Sequence, residues 1–273
     1  MRSRRNPLVQ IGLGLSLLLG VAATAGTASA QPGGDEGRPQ KLYELRYYLA
    51  APGKLDALHA RFRDHTLGLF EKHGMENVIY WNVAEGDKTD GEDEAERTLV
   101  YIIAHEDKEA HDKSWAAFRA DPEWQKALAE SEKDGKLLAE PPRAILMTET
   151  DFSPLDWPSS DDKRLYELRH YNDGPDRVSF TVERFGSGED QLFRDAGMET
   201  VKFWRATDDS AFIYLLSHGD RDQSKASWQK FMTVFRPFME KYKAEKPQPP
   251  ADAAPGKGIE ARFLVPTDYS PRN

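Results

Sequence analysis

One stretch of this chain is written twice. Leu42-Tyr43-Glu44-Leu45-Arg46-Tyr47-Tyr48 recurs as Leu165-Tyr166-Glu167-Leu168-Arg169-His170-Tyr171, and Gly74-Met75-Glu76 recurs as Gly197-Met198-Glu199. Leu42 to Leu165, Gly74 to Gly197 and Trp81 to Trp204 are each 123 positions apart. A constant offset requires intervening segments of equal length, so the chain is a duplicated unit. Whatever fold one copy adopts, the other should adopt as well.

The residues ahead of the repeat read as a leader. Arg2, Arg4 and Arg5 precede an apolar run from Leu8 to Val21, and Ala28-Ser29-Ala30 supplies the small residues a signal peptidase accepts. The run falls short of the ~20 residues of a membrane span, so 1–30 is expected to be a signal peptide cleaved before Gln31. Export to the periplasm or the exterior would follow, with no stable membrane insertion after cleavage. Residues 31–40 are a lead-in too poor in apolar side chains to fold.

Without the leader's three arginines, 34 basic residues stand against 46 acidic ones, which disfavours nucleic acid and anionic lipid as partners. There is no cysteine, hence no disulfide framework, thiolate nucleophile or Cys-ligated metal.

Within each copy the apolar period changes in a fixed order. Tyr43, Leu45 and Tyr47 alternate with Glu44, Arg46 and Tyr48, the period of a strand. Pro52-Gly53 turns the chain, and Leu55, Leu58, Phe62, His65 and Leu69 then recur at helical steps up to the stop at Gly74. Strands follow at Asn77–Val83 and Thr98–Ala104, helices at Lys108–Phe118 and Pro122–Leu138, and a closing strand at Arg143–Thr150. The order β-α-β-β-α-β is the ferredoxin-like unit.

The second copy repeats this order, with its hairpin loop ten residues shorter and a Pro/Ala-rich insert at Glu245–Gly258. The boundaries are 41–155 for the first domain, 156–163 for the linker and 164–273 for the second domain. Each unit covers one sheet face with helices and leaves the other bare. The class is therefore α+β, two tandem ferredoxin-like units that bury their bare faces against each other in a barrel-like core.

Further motifs resemble a known family. Tyr43-Glu44-Leu45-Arg46, Pro52-Gly53-Lys54-Leu55, Leu69-Phe70-Glu71-Lys72-His73-Gly74 and Tyr80-Trp81 together resemble the NIPSNAP family, as do Asp121-Pro122-Glu123-Trp124 and Phe152-Ser153-Pro154-Leu155. The resemblance covers nearly all of 41–155 and, less closely, 164–271. It implies a dimeric α-β barrel formed here within one chain, and it brings no settled activity. Related barrels include cofactor-free monooxygenases and haem proteins.

The candidate chemistry is sparse. His65, on the apolar stripe, is expected to face the cleft between helix and sheet. It is either a half-buried histidine with a hydrogen-bond partner or, by analogy with haem-binding barrels, an axial haem ligand; copy two has Gly188 there. Glu44 and Arg46 share one strand face, and can orient a polar ligand or form a structural ion pair. Tyr47 and Trp81 complete the set of cleft candidates. His105 and His218 end equivalent strands, but no metal site assembles from the sequence, and no phosphate loop, HExxH or G-x-S-x-G is present. The expectation is a binding or interaction module for a small apolar ligand or a protein partner, without cofactor. The alternative is an oxidative enzyme, haem-linked or cofactor-free.

Overall fold

The computed structural model describes residues 40–87, 96–158, 164–251, 253 and 256–272. The expected leader lies outside them, as do all of the lead-in but Gln40 and parts of the hairpin loop and the linker. Copy one contains β1 (Leu42–Leu49), α1 (Leu55–Arg61), a π turn (Phe62–Thr66), α2 (Leu67–Lys72), β2 (Glu76–Val83), β3 (Thr98–His105), α3 (Lys108–Ala120), α4 (Pro122–Ser131) and β4 (Arg143–Glu149). Copy two contains β5 (Leu165–Tyr171), α5 (Val178–Arg184), a second π turn (Phe185–Glu189), α6 (Asp190–Asp195), β6 (Glu199–Ala206), β7 (Phe212–His218), α7 (Arg221–Glu245) and β8 (Ile259–Pro266). Among the described residues no helix is long and apolar enough to cross a membrane.

The eight strands close into one barrel in the order β1-β3-β2-β8-β5-β7-β6-β4. Each copy supplies four neighbouring strands. The copies join at two seams, where Trp81 to Val83 of β2 face Leu264 to Pro266 of β8 and Met147 to Glu149 of β4 face Trp204 to Ala206 of β6. Closure removes every sheet edge, which a lone four-stranded unit would leave open.

Strand alternation sorts the side chains into three layers. Tyr43, Leu45 and Tyr47 point into the barrel, together with Trp81, Trp204, Ile102 and Leu215. The duplication shows there as paired edge-to-face contacts between the copies: Trp81 meets Tyr166 at 5.8 Å, and Trp204 meets Tyr43 at 5.9 Å. Glu44, Arg46 and Tyr48 face outward, toward the helices of copy one. That outer layer is packed by Leu58, Phe62, Phe70, Tyr101, Trp115 and Phe118; Phe185, Phe193, Tyr214 and Phe231 do the same for copy two.

The segments after β4 and β8 cross between copies. The Phe203 amide donates to Ser153 Oγ at 3.1 Å, and the Tyr80 amide donates to Ser270 Oγ at the same distance. The ring of Phe152 thereby reaches the helices of copy two, and Tyr269 reaches those of copy one, where its hydroxyl lies 2.8 Å from His59 Nδ1. Arg63 holds the neighbouring Asp268 through both carboxylate oxygens.

Two local features differ from the sequence expectation. The helix after Pro52-Gly53 is not one regular α-helix, because five residues in each copy form a π turn. A π turn adds one residue to the helical path and so rotates everything after it. The second helix of copy one ends at Ser131, not Leu138, because residues 137–139 instead bond to the end of β1: Ala51 N donates to Leu137 O at 2.8 Å, and Ala139 N to Leu49 O at 2.9 Å. In copy two a single 25-residue helix, α7, spans the region that Asp121-Pro122 divides into α3 and α4 in copy one.

Candidate functional site

In copy one a cavity of about 660 Å³ lies between the outer face of β1 and the helices. Its floor is Glu44, Arg46 and Tyr48 from β1. Its walls are Phe62 and Phe70 on one side and Trp115, Phe118 and Trp124 on the other, with Leu128 and Leu138 at the rim. Aromatic walls over a few convergent polar groups are the usual make-up of a small-molecule site. The break at Asp121 helps to leave this space: Asp121 caps α4 by accepting from Glu123 N at 2.8 Å, so α4 departs from the line of α3.

On the floor, Glu44 pairs with Arg46 and accepts a hydrogen bond from Trp115 Nε1 at 2.8 Å. Burial pushes the Glu44 carboxyl up, but the His105 ring, the Arg46 guanidinium and Trp115 outweigh it and hold the carboxyl down at about 2. Arg46 lies 4.5 Å from the Trp115 ring centroid and donates to Tyr48 Oη at 3.2 Å. Copy two repeats this arrangement, with Glu167 accepting from Arg169 at 2.7 Å and Trp228 at 2.8 Å and lying 3.0 Å from His218 Nε2. Recurrence in both copies marks the network as part of the frame.

Copy one adds a histidine to that frame. His105 Nε2 and His111 Nε2 lie 3.6 and 3.4 Å from Glu44 Oε2, and His111 Nδ1 lies 2.8 Å from Asp112. Glu44, His105 and His111 place one donor atom each within 4.8 Å of one another, the kind of donor set that can take a divalent metal. Sequence reading assembled no metal site, because His105 comes to Glu44 only through the register of β1 on β3 and His111 only through the packing of α3 over β1. Copy two has Ser224 at the position of His111. The Arg46 guanidinium pairs with Glu44 in the same cluster, while both buried ring nitrogens of His105 lack a hydrogen-bond partner.

Of the residues singled out from sequence, Glu44 and Arg46 lie in the cavity. Tyr47 and Trp81 do not. Both point into the barrel on the opposite sheet face, Trp81 fully buried and Tyr47 between the guanidiniums of Arg143 and Arg262, 4.9 and 5.0 Å from its ring. His65 is also elsewhere: it is exposed, on the outer side of the helix beside Asp64, Gly68 and Lys72. The π turn is the cause. The inward positions run Leu58, Arg61, Phe62, Thr66 and Phe70, so Thr66 takes the place an unbroken helix would give to His65. A haem in the cavity would find no ligand in His65, and the site does not fit that assignment.

Sequence reading passed over Arg61 and Thr66. Both are buried, and both line the cavity. Thr66 Oγ1 donates to the Arg61 carbonyl at 3.1 Å. The Arg61 guanidinium stands 3.5 Å from Glu132, which Lys136 also engages at 2.6 Å, and 5.3 Å from the ring centroid of Trp124. Burial pulls the Arg61 pKa down. At the 123-residue offset these two positions are Arg184 and Glu189 in copy two, and there the acid closes on the arginine inside the helix layer.

An eight-stranded barrel assembled from two ferredoxin-like halves, each with helices on its outer face, is a dimeric α-β barrel formed within one chain. Residues 43–154, the first of the two copies, match the NIPSNAP family model. No curated protein matches it. Among solved structures, a NIPSNAP family protein of unknown function from Agrobacterium tumefaciens is 24% identical with a TM-score of 0.36, over 43% of this chain and 96% of that one. A monooxygenase candidate from Fusobacterium nucleatum is 12% identical with a TM-score of 0.50, over 83% of this chain and 92% of that one. A chlorite dismutase variant from Candidatus Nitrospira defluvii is 7% identical with a TM-score of 0.48, over 85% and 92%. The second of these shares the fold of the whole barrel.

Proposed function

We propose that the chain is an exported binding protein that holds one small, mainly apolar ligand in the cavity of copy one. The observation that carries this reading is the divergence of two equivalent places. Both copies keep the same strands, the same Glu–Arg–Trp floor and a π turn at the same place, which in copy two is kinked at Gly188. In copy one the space above the floor remains open at about 660 Å³. In copy two Glu189 and Arg184 form a buried pair at the equivalent positions, and the openings there are smaller: about 410 Å³ between β5, α7 and β8, and about 140 Å³ beside Thr181, Arg184 and Tyr242. A duplicated fold that fills one cleft and leaves its twin open and lined with aromatic rings is built for single occupancy.

Native mass spectrometry of the full chain purified from its own host tests the reading. One small-molecule adduct per chain is expected, and Thr66→Trp, which fills the cavity from its wall, should remove the adduct while leaving circular dichroism unchanged. An adduct that survives Thr66→Trp, or a chain that carries none, would contradict it. A Soret band in the same preparation would favour the haem-linked alternative, with a ligand other than His65.

A further inference from the structure

The two copies differ at one buried position, and the difference bears on the chemistry of the open cavity. In copy two, Glu189 is almost wholly buried, and its carboxylate accepts from Arg184 Nε. Arg169, on the strand beneath, is close enough to act on the same carboxylate. The acid is therefore paired with the helix arginine and lies within the field of the strand arginine, which itself pairs with Glu167. At the 123-residue offset copy one retains both arginines, as Arg61 and Arg46, and the ring of Phe185, as Phe62. Only the carboxylate has gone, replaced by Thr66, whose hydroxyl turns to the Arg61 carbonyl.

Both guanidiniums line the aromatic cavity, together with Arg119 and the carboxylates of Glu44, Asp112 and Glu132, and no carboxylate stands at the Thr66 position. Arg46 has Glu44 as its partner, just as Arg169 has Glu167. Arg61 has no such close partner: its side chain is 3% exposed, Glu132 is 3.5 Å away and already shared with Lys136, and Ser131 Oγ is 3.4 Å away. Its Nε, the atom whose counterpart in Arg184 donates to Glu189, has no hydrogen-bond partner. A buried, poorly matched guanidinium gains most from a carboxylate, because the pair replaces hydration that burial has already removed.

We infer that the cavity takes a small amphipathic anion, an aromatic or aliphatic carboxylate, whose carboxylate pairs with Arg61 as Glu189 pairs with Arg184, within the field of Arg46. Its apolar body lies among Phe70, Trp115, Trp124 and Leu138, the walls of the open space. The inference rests on the reading of this cavity as a binding site and adds the chemical class. In this scheme copy two carries a built-in ligand group, and copy one leaves the same place for an external one.

Matched acids and amides separate the class from the site. Titrate the full chain at neutral pH with benzoate and indole-3-acetate, and with benzamide and indole-3-acetamide, reading tryptophan fluorescence and calorimetry. The acids should bind roughly tenfold to a hundredfold tighter than their amides, the range a charge-assisted hydrogen bond supplies. Arg61→Met should erase the difference between acid and amide. Thr66→Glu, which restores the carboxylate of copy two, should abolish acid binding with the melting temperature unchanged or raised, so that loss of the fold cannot explain the loss. Amides that bind as well as acids, with both blocked by Thr66→Glu, would overturn the anion assignment and leave the cavity standing. Failure of all four probes to bind would overturn both.

Discussion

The carboxyl group that closes copy two should leave a measurable mark on stability. Burial raises the Glu189 pKa to about 6 from its ordinary 4.5, and the Arg184 guanidinium only partly offsets this. A folded-state pKa raised above the unfolded value contributes stability that is fully present below about 4.5 and is lost as pH rises through about 6. The difference of about 1.5 pKa values, at 1.36 kcal/mol each, is about 2 kcal/mol. Glu189→Gln removes this titration and keeps the shape. Other groups titrate in the same window: His170, held down near 4 by burial and by Arg143, changes stability in the opposite sense. The informative quantity is therefore the difference between the two proteins at each pH.

Urea unfolding of wild type and Glu189→Gln, followed by circular dichroism from pH 4 to pH 7.5, supplies that difference. The variant should gain on the wild type by about 2 kcal/mol across the window, most of it between pH 4.5 and 6.5. A flat difference would mean that Glu189 titrates at its ordinary value. A difference of the opposite sign would mean that Arg184 and Arg169 stabilise the charged carboxylate more than burial penalises it. Either result would refute the account of Glu189 as a carboxylate whose burial cost outweighs the attraction of its arginine partners.

Gly186→Ala should lower stability, by about 1 kcal/mol, although alanine is the better helix former. An added Cβ would meet the Phe152 ring at 3.0 and 3.2 Å, and overpacking at about 1–3 kcal/mol outweighs the helix gain of about 0.5–1 kcal/mol. Thermal unfolding checks this, and a more stable variant would show that Phe152 is not held against the second π turn. The leader reading predicts a native N-terminus near Gln31 outside the cytoplasm, and N-terminal sequencing that finds an intact Met1 on cytosolic protein would refute it.

Much of the barrel could be read from periods and offsets alone. Alternation in Leu42–Tyr48 gave β1 its two faces, and the 123-residue offset carried the elements from β1 to β2 into copy two, with an offset of 113 beyond the shorter hairpin loop. The same alternation already placed Tyr47 opposite Arg46, so grouping Tyr47 with Glu44 and Arg46 asked one strand to present both faces to one ligand. Trp81 belongs with Tyr47 for the same reason. His65 failed differently. The stripe Leu55, Leu58, Phe62, His65, Leu69 suits an unbroken helix, and one extra residue in the turn from Phe62 to Thr66 moves His65 out and Thr66 in. Arg61 and Thr66 stood at the right offset from Arg184 and Glu189 all along, but only the π turn shows that all four point inward.

The closed copy still serves the open one. Arg61 and Phe62, which give the cavity its cation and one wall, ride on α1 and its π turn. That segment is held from outside by copy two: Tyr269 reaches His59, and Asp268 grips Arg63. Phe152 of copy one performs the reciprocal task on α5 and its π turn, where Gly186 leaves it room and Val182 stands in place of His59. Because each copy's helices are held by the other's closing segment, copy two could fill its own cleft and remain essential. Filling a cleft removes a site, whereas losing the closing segment would unseat the arginine of its neighbour. Duplication within one chain therefore allowed one half to become scaffold and the other to keep the cavity, with the barrel core shared between them.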